Sequence, residues 1–403
     1  MNNDPVKATP PSPSDRWNWR LRRERRAYLA LQDGTVFRGY SVGAPCEAVG
    51  EVVFNTGMTG YQEMLTDPSY AGQFITFTCP EIGNVGMNGA DRESARLFAA
   101  GLLIREANLP SNWRSEHSLQ DTLAAQEVPA LAGIDTRALT LLLRDRGTQR
   151  AFLSATGETP PAEGVRRAQA WRGLDGQDYA SRVSCREPYA WDPDGRLTCS
   201  WGSADALPAA DLAVVAYDFG IKWNILRHLR RQGMQVTVVP AHTPAADVLA
   251  RRPDGVLLSN GPADPAALDF AVATIQRLLG AVPIMGICLG HQLLGRALGA
   301  RTYRLKFGHH GGNHPVQELA TGRVAITSQN HNFAVDGGSL DPRRAAVTHL
   351  NLNDQTLEGF RVLDAPAFAV QYHPEGAPGP HDPAPLFAQF RTLIDQTRPD
   401  RRG

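Results

Sequence analysis

The chain has 403 residues, 42% hydrophobic and 20% charged, enough for two or three cored domains and too apolar for global disorder. Its 41 Lys and Arg balance 41 Asp and Glu, so no net positive field gathers nucleic-acid phosphates, and no nucleic-acid partner is expected. Only Lys7, Lys222 and Lys306 are lysines, and none has the glycine spacing of a G-x-x-x-x-G-K-[ST] phosphate loop, which excludes a Walker-type ATP site.

Residues 1–26 are rich in Pro and Arg, lack a signal-like apolar run, and read as a disordered, solvated tail rather than a transit peptide or RNA-binding arm. Beyond them, strands are predicted on either side of Asp33-Gly34 and again at 51–54 and 74–77. Helical periodicity covers 91–100 and 135–146. A mixed α/β N-terminal domain without regular alternation is therefore expected over 27–186. Pro188, Asp192-Pro193-Asp194-Gly195, Gly202 and Pro208 mark 187–210 as the interdomain linker.

From 211 to 400 the rhythm becomes regular. Strands at 212–217, 236–239, 256–259 and 283–287 alternate with helices at 222–231, 244–251 (capped by Thr243) and 265–279 (capped by Asp264). Buried strands alternating with helices predict a C-terminal α/β domain built on a doubly wound, mostly parallel sheet. Cys46, Cys79, Cys185, Cys199 and Cys288 form no C-x-x-C pair and no even-numbered framework, which points to a reducing, cytoplasmic setting. The longest apolar stretches, such as 97–104, fall far short of the ~20 residues that cross a bilayer, so no membrane partner is expected.

Three segments carry chemistry. Gly286-Ile287-Cys288-Leu289-Gly290 lies where a buried strand turns into a helix, the cysteine analogue of a nucleophile elbow. There the helix N-terminus favours a thiolate, and the Leu289 N–H can face an oxyanion. The same five residues also suit a buried core cysteine. Gln371-Tyr372-His373-Pro374-Glu375 ends a strand-like run, and side chains two apart share a face, so Glu375 can orient His373. Alone it could be a surface turn. Behind an elbow cysteine, it completes a nucleophile, base and orienter set for acyl transfer. Leu258-Ser259-Asn260-Gly261-Pro262-Ala263-Asp264-Pro265 turns at the same carboxyl edge of the sheet, where Gly261 could offer a second N–H. An ordinary strand-to-helix turn fits it too.

Gly286–Gln292 (G-I-C-L-G-H-Q) with Q-Y-H-P-E resembles the class I, triad-type glutamine amidotransferases. Four further segments resemble the small, glutaminase subunit of carbamoyl-phosphate synthetases: A-Y-D-F-G from Ala216, F-G-H-H-G-G-N-H-P from Phe307, S-Q-N-H-N-F from Ser328 and A-P-G-P-H-D from Ala377. In the first half, F-N-T-G-M-T-G-Y-Q-E from Phe54 and T-D-P-S-Y from Thr66 resemble the N-terminal domain of that subunit. The similarity spans about 27–395.

The resemblance implies Cys288 as nucleophile, His373 as base and acid, and Glu375 as its orienter. It implies that Ser69, Gly261, Ala263, Leu289, Gln292, Asn330, Asn332 and Phe333 hold glutamine, with Gly261 and Leu289 donating backbone N–H groups to the oxyanion. Ala263 stands where the family has the second glycine of N-G-P-G-D-P, and Asn332 where it has the glycine of Q-N-H-G-F. Asn tolerates positive φ, whereas Ala would store about 1–2 kcal/mol there. The resemblance further implies no cofactor in this chain, and ATP and Mg in a large partner subunit. That partner, in a heterodimer or higher oligomer, would make carbamoyl phosphate for arginine and pyrimidine synthesis. Competing readings are a glutaminase of anthranilate or guanylate synthesis and a non-catalytic partner-binding subunit. His309, His310 and His314 invite a zinc reading, but structural zinc usually draws four Cys/His ligands and one cysteine lies near, so no metal is expected.

Overall fold

The computed structural model describes residues 23–199, 206–262 and 264–397. Of the tail expected over 1–26, residues 1–22 lie outside the described residues, as does the expected ligand Ala263, and Arg26 opens the first strand.

The first half closes a seven-stranded barrel. Its strands are β1 (Arg26–Leu31), β2 (Val36–Ser41), β3 (Glu47–Asn55), β4 (Gln73–Phe77), β5 (Gly101–Leu103), β6 (Ala130–Ala132) and β7 (Gln149–Ser154), in the order β1-β2-β6-β5-β4-β3-β7. β1 pairs antiparallel with both β2 and β7, which closes the ring and leaves no edge. Gly34, at φ 92, makes the Asp-Gly turn that joins β1 to β2. Helix α1 (Thr136–Arg146) lays Leu139 and Leu143 on Leu29, Leu31, Val52 and Leu131, each burial contributing roughly 1.5–3 kcal/mol. Asp135 caps it through the Ala138 N–H at 2.8 Å.

The 91–100 segment is not helical. Its N–H groups go outward, Glu93 to Thr66 Oγ1 (3.0 Å), Phe98 to the Leu65 carbonyl (2.9 Å) and Ala100 to the Gln73 carbonyl (2.8 Å). Tertiary partners outcompete the local 3.6-residue period.

The second half is one ten-stranded sheet. Its strands are β8 (Tyr189–Ala190), β9 (Leu212–Asp218), β10 (Met234–Pro240), β11 (Gly255–Leu258), β12 (Ile284–Ile287), β13 (Thr302–Glu318), β14 (Val324–Val335), β15 (Ala345–Asn351), β16 (Leu357–Val362) and β17 (Ala367–Val370), in the order β8-β10-β9-β11-β12-β17-β16-β15-β13-β14. The pairs β10-β9, β9-β11, β11-β12 and β12-β17 are parallel, the expected doubly wound core. Antiparallel strands β16, β15, β13 and β14 extend it on one side. Both faces are covered, as parallel strands require. Val256 and Leu258 join one buried cluster and Leu257 the other.

Within the turn-rich 187–210 stretch, the described residues 187–199 are anchored to the sheet. Tyr189–Ala190 adds to the edge of β10, Trp191 is buried against Trp223 (5.5 Å between ring centroids), and Asp192 accepts from the N–H groups of Leu197 and Thr198. Turn residues fold this segment back onto the sheet rather than away from it. The helix expected to be capped by Thr243 starts a residue later, as Ala245–Ala250 behind Pro244. The 265–279 helix is split into a 3₁₀ turn capped by Asp264 and a helix over Asp269–Leu278.

Candidate active site

β12 runs into helix α2 (Leu289–Ala297) through Cys288 alone, at φ 55 and ψ −103. That conformation costs a non-glycine residue about 1–2 kcal/mol, and the surroundings enforce it. The Cys288 N–H donates to the Val370 carbonyl at 2.9 Å, its carbonyl accepts from the Gln292 N–H at 3.1 Å, and the Gly290 N–H reaches the Ser259 carbonyl at 3.0 Å. A Cβ on Gly290 would run into the Leu258 carbonyl, and one on Gly286 would meet the Gly290 carbonyl oxygen at 2.8 Å. Both glycines of the motif are therefore demanded by close backbone approach. Cys288 is 2% exposed, and its Sγ lies 3.7 Å from the Asn330 carbonyl oxygen.

His373 and Glu375 follow β17 and meet as expected, Nδ1 to Oε1 at 2.7 Å. The same Oε1 accepts from Lys222 Nζ at 2.7 Å. All three side chains are buried. Burial alone would push the His373 imidazolium down, but Glu375 and then Cys288 outweigh it and raise its pKa to about 10. Burial would likewise raise Glu375, yet Lys222 and His373 hold its carboxyl well below the usual range. Nε2, the nitrogen left for chemistry, has no hydrogen-bond partner among the described residues. Glu375 and Cys288 thus bias the ring toward its protonated form, with Nδ1 committed to Glu375 and Nε2 left for chemistry.

Lys222 is the residue that sequence reasoning missed. It precedes the helix Trp223–Arg231 and lies 153 positions from Glu375. Nearby Glu93, whose carboxyl burial raises to about 8, adds to the pull of Glu375 on Lys222 and lies 3.7 Å from Arg227.

A cavity of about 30 Å³ opens beside Cys288. Ser69, Gly261, Gln292, Asn330, Asn332 and Phe333 line it, six of the eight expected ligands. Leu289 opens α2 without lining the cavity. Neither the Leu289 nor the Gly261 N–H is hydrogen-bonded within the described residues, so both remain available to an oxyanion. A Cβ on Gly261 would run into the Phe219 carbonyl oxygen, which explains the glycine there.

Partners from the N-terminal domain fix those walls. Asp67 accepts from the Ser69 N–H (2.8 Å) and Asn330 Nδ2 (3.0 Å), and Asn260 Nδ2 donates to Ser69 Oγ (2.9 Å). Gln292 Nε2 donates to the Phe333 carbonyl at 2.7 Å and to Gln371 Oε1 at 3.1 Å. Asn332 does not adopt positive φ. The expected need for a left-handed residue there is not met, because β14 stays extended and the bend falls on Gly308 of β13, at φ 72.

The zinc trio is not what the fold assembles. His309, His331 and Glu358 come within metal-ligand range of one another instead. His309 Nε2 faces Asp354 (2.8 Å), His331 lies between the Phe333 carbonyl (2.8 Å) and Gln329 (2.9 Å), and Glu358 accepts from Gln329 and Asn351. His309 Nδ1, 3.7 Å from Glu358 Oε1, has no hydrogen-bond partner among the described residues.

Residues 215–393 match the family described as glutamine amidotransferase class-I, and 29–153 match the carbamoyl-phosphate synthase small chain, CPSase domain. The carbamoyl phosphate synthase small chain of Thioalkalivibrio sulfidiphilus is 54% identical over 370 residues, covering 91% of this chain and 97% of that protein. This chain belongs to the carbamoyl-phosphate synthase small chain family. The family members from Syntrophotalea carbinolica (52% identity, 93% of this chain, 99% of that one) and Escherichia coli K12 (51%, 93% and 98%) match over the same extent. Among the described residues, no helix is long and apolar enough to cross a membrane.

Proposed function

We propose that this chain is the glutaminase of a carbamoyl-phosphate synthase, with Cys288, His373 and Glu375 as its reacting set. One observation carries the reading: a strained elbow thiol is coupled to an imidazolium held by a buried Glu375–Lys222 pair. The thiolate of Cys288 attacks the side-chain carboxamide carbon of glutamine, and the oxyanion takes the Leu289 and Gly261 N–H groups. His373 passes its Nε2 proton to the departing nitrogen, the C–N bond breaks, and ammonia leaves behind a γ-glutamyl thioester. Water then gives a proton to Nε2, attacks the thioester, and releases glutamate and the thiolate.

Ser69, Gly261, Gln292, Asn330, Asn332 and Phe333 hold the glutamine, with the Leu289 N–H facing its oxyanion, and the family resemblance adds Ala263. Beyond His373 lies a second cavity of about 320 Å³, lined by Lys222, Asp67, Tyr70 and Asn330 as well as His373. It offers a sheltered volume for released ammonia. The ATP- and Mg-dependent steps on bicarbonate belong to the large subunit, with which this chain forms a heterodimer in the cytoplasm. Carbamoyl phosphate then serves arginine and pyrimidine synthesis. The match over 29–153 favours this synthase over the glutaminases of anthranilate or guanylate synthesis.

The test is to co-express the chain with its large subunit and follow glutamate release from glutamine. A stable complex that releases glutamate is expected. Persistent separation at micromolar concentration, or no release, contradicts the reading.

The pH profile supplies a sharper prediction. His373 must carry its proton to expel ammonia, so kcat/KM should stay high through neutral pH and fall as pH approaches about 10. Glu375→Gln removes the strongest upward influence on the ring, so this alkaline limb should move down toward the ordinary imidazole value near 6.5. A limb unmoved by the substitution would show that Glu375 does not set the charge on His373.

A further inference from the structure

We propose that Asn332 is a positioning residue that ties the glutamine-facing strand β14 to Glu51 of the N-terminal barrel, and so sets the affinity for glutamine. The inference rests on the glutaminase reading above. Asn332 is 7% exposed, and its carboxamide lies 3.0 Å from His310 Nε2 while Nδ2 donates to Glu51 Oε1 at 3.4 Å. His310 Nδ1 is 3.1 Å from Asn330 Oδ1, and Asn330 Nδ2 donates to Asp67 Oδ2 at 3.0 Å. One buried polar row therefore starts on β3 at Glu51, crosses Asn332, His310 and Asn330, and returns to the N-terminal domain at Asp67. Asn330 and Asn332 both face the glutamine cavity, and the Asn330 carbonyl touches the reacting sulfur.

The fold makes room for this side chain. The pairing of β13 with β14 slips between Arg304 and His309, opposite Asn332. Within the slip sits Gly308, where a Cβ would run into Asn332 Oδ1. Arg304 forms an ion pair with the same Glu51, and its guanidinium lies 5.5 Å from the Phe333 ring centre. Two straps thus converge on one barrel carboxyl from adjacent positions of the pocket wall. The backbone at 332 does not need an asparagine, since its φ is ordinary. What the residue adds is the polar link. Without it, Glu51 loses a buried donor, and the 330–333 wall must be ordered by glutamine itself, which weakens binding.

The experiment uses the complex with the large subunit. Asn332→Gly should raise KM for glutamine about tenfold while kcat stays within about twofold, in line with the loss of a buried hydrogen bond. Alkylation of Cys288 by iodoacetamide should keep the parent rate. Labelling by 6-diazo-5-oxo-L-norleucine, which must seat in the pocket, should slow in proportion to KM. Because the link ends on Glu51, Glu51→Ala combined with Asn332→Gly should raise KM no more than about twofold beyond the larger single effect. A KM unchanged or lowered in Asn332→Gly overturns the proposal. So do multiplicative effects of the two substitutions, or equal losses of kcat and iodoacetamide reactivity. A parent complex that hydrolyses no glutamine would remove the glutaminase reading itself, a distinct outcome.

Discussion

Replacing Cys288 with alanine should lower glutamate release by about 10⁴-fold or more, with the fold intact. Among the described lining residues Ser69 is the one other hydroxyl, hydrogen-bonded by Asn260, and the remaining side chains are amides, apolar groups or the ring of His331. The effect should be separable from stability. Cys288 holds φ 55 because strand β12, helix α2 and the Val370 carbonyl require it. Alanine keeps the Cβ and therefore the strain, so its melting temperature should match the parent. Glycine adopts that region without penalty, and Cys288→Gly should lose all activity while resisting denaturant at least as well as the parent. A protein that unfolds far more easily on losing the sulfur would mean that the thiol serves packing rather than chemistry. Calorimetry alongside the glutaminase assay distinguishes the two.

Lys222→Met should have the second large effect. The substitution keeps the length of the chain and removes the cation that Glu375 shares with His373. Breaking the buried pair from one side leaves the Glu375 carboxylate to His373 alone, at a cost of up to about 3–5 kcal/mol. The midpoint of urea unfolding should fall accordingly, and kcat should fall with it as the carboxylate loses the contact that fixes its position. Adding Glu375→Gln to Lys222→Met removes the stranded charge and should recover more than half of the lost stability. Additive losses in the double variant would mean that the two groups do not act as a pair.

How much of this was legible in the sequence depends on the range of each interaction. The elbow was legible because strand, cysteine, helix and both glycines lie within seven residues, and the close approaches around Gly286 and Gly290 account for the spacing. His373 and Glu375 were legible for the same reason: two positions apart, they meet at 2.7 Å. Lys222 was not, because its importance exists only once Glu375 is folded against it. The one available hint was its rarity, as one of three lysines in 403 residues.

The barrel was hidden because closure depends on β1 finding β7, some 120 residues away, which no local pattern records. Residues 91–100 misled for a related reason: a helical spacing of apolar residues carried no trace of Thr66 and Gln73, which claim its N–H groups. At Asn332 the expectation looked to backbone conformation, whereas the fold uses the side chain.

The most direct measurement is to quench the complex with acid during glutamine turnover and map the mass of the peptide that contains Cys288. A γ-glutamyl group on that cysteine, accumulating during turnover and absent from Cys288→Ala, is the expected result. Continued hydrolysis with no adduct, or with the adduct on another residue, would contradict the assignment of Cys288 as the nucleophile.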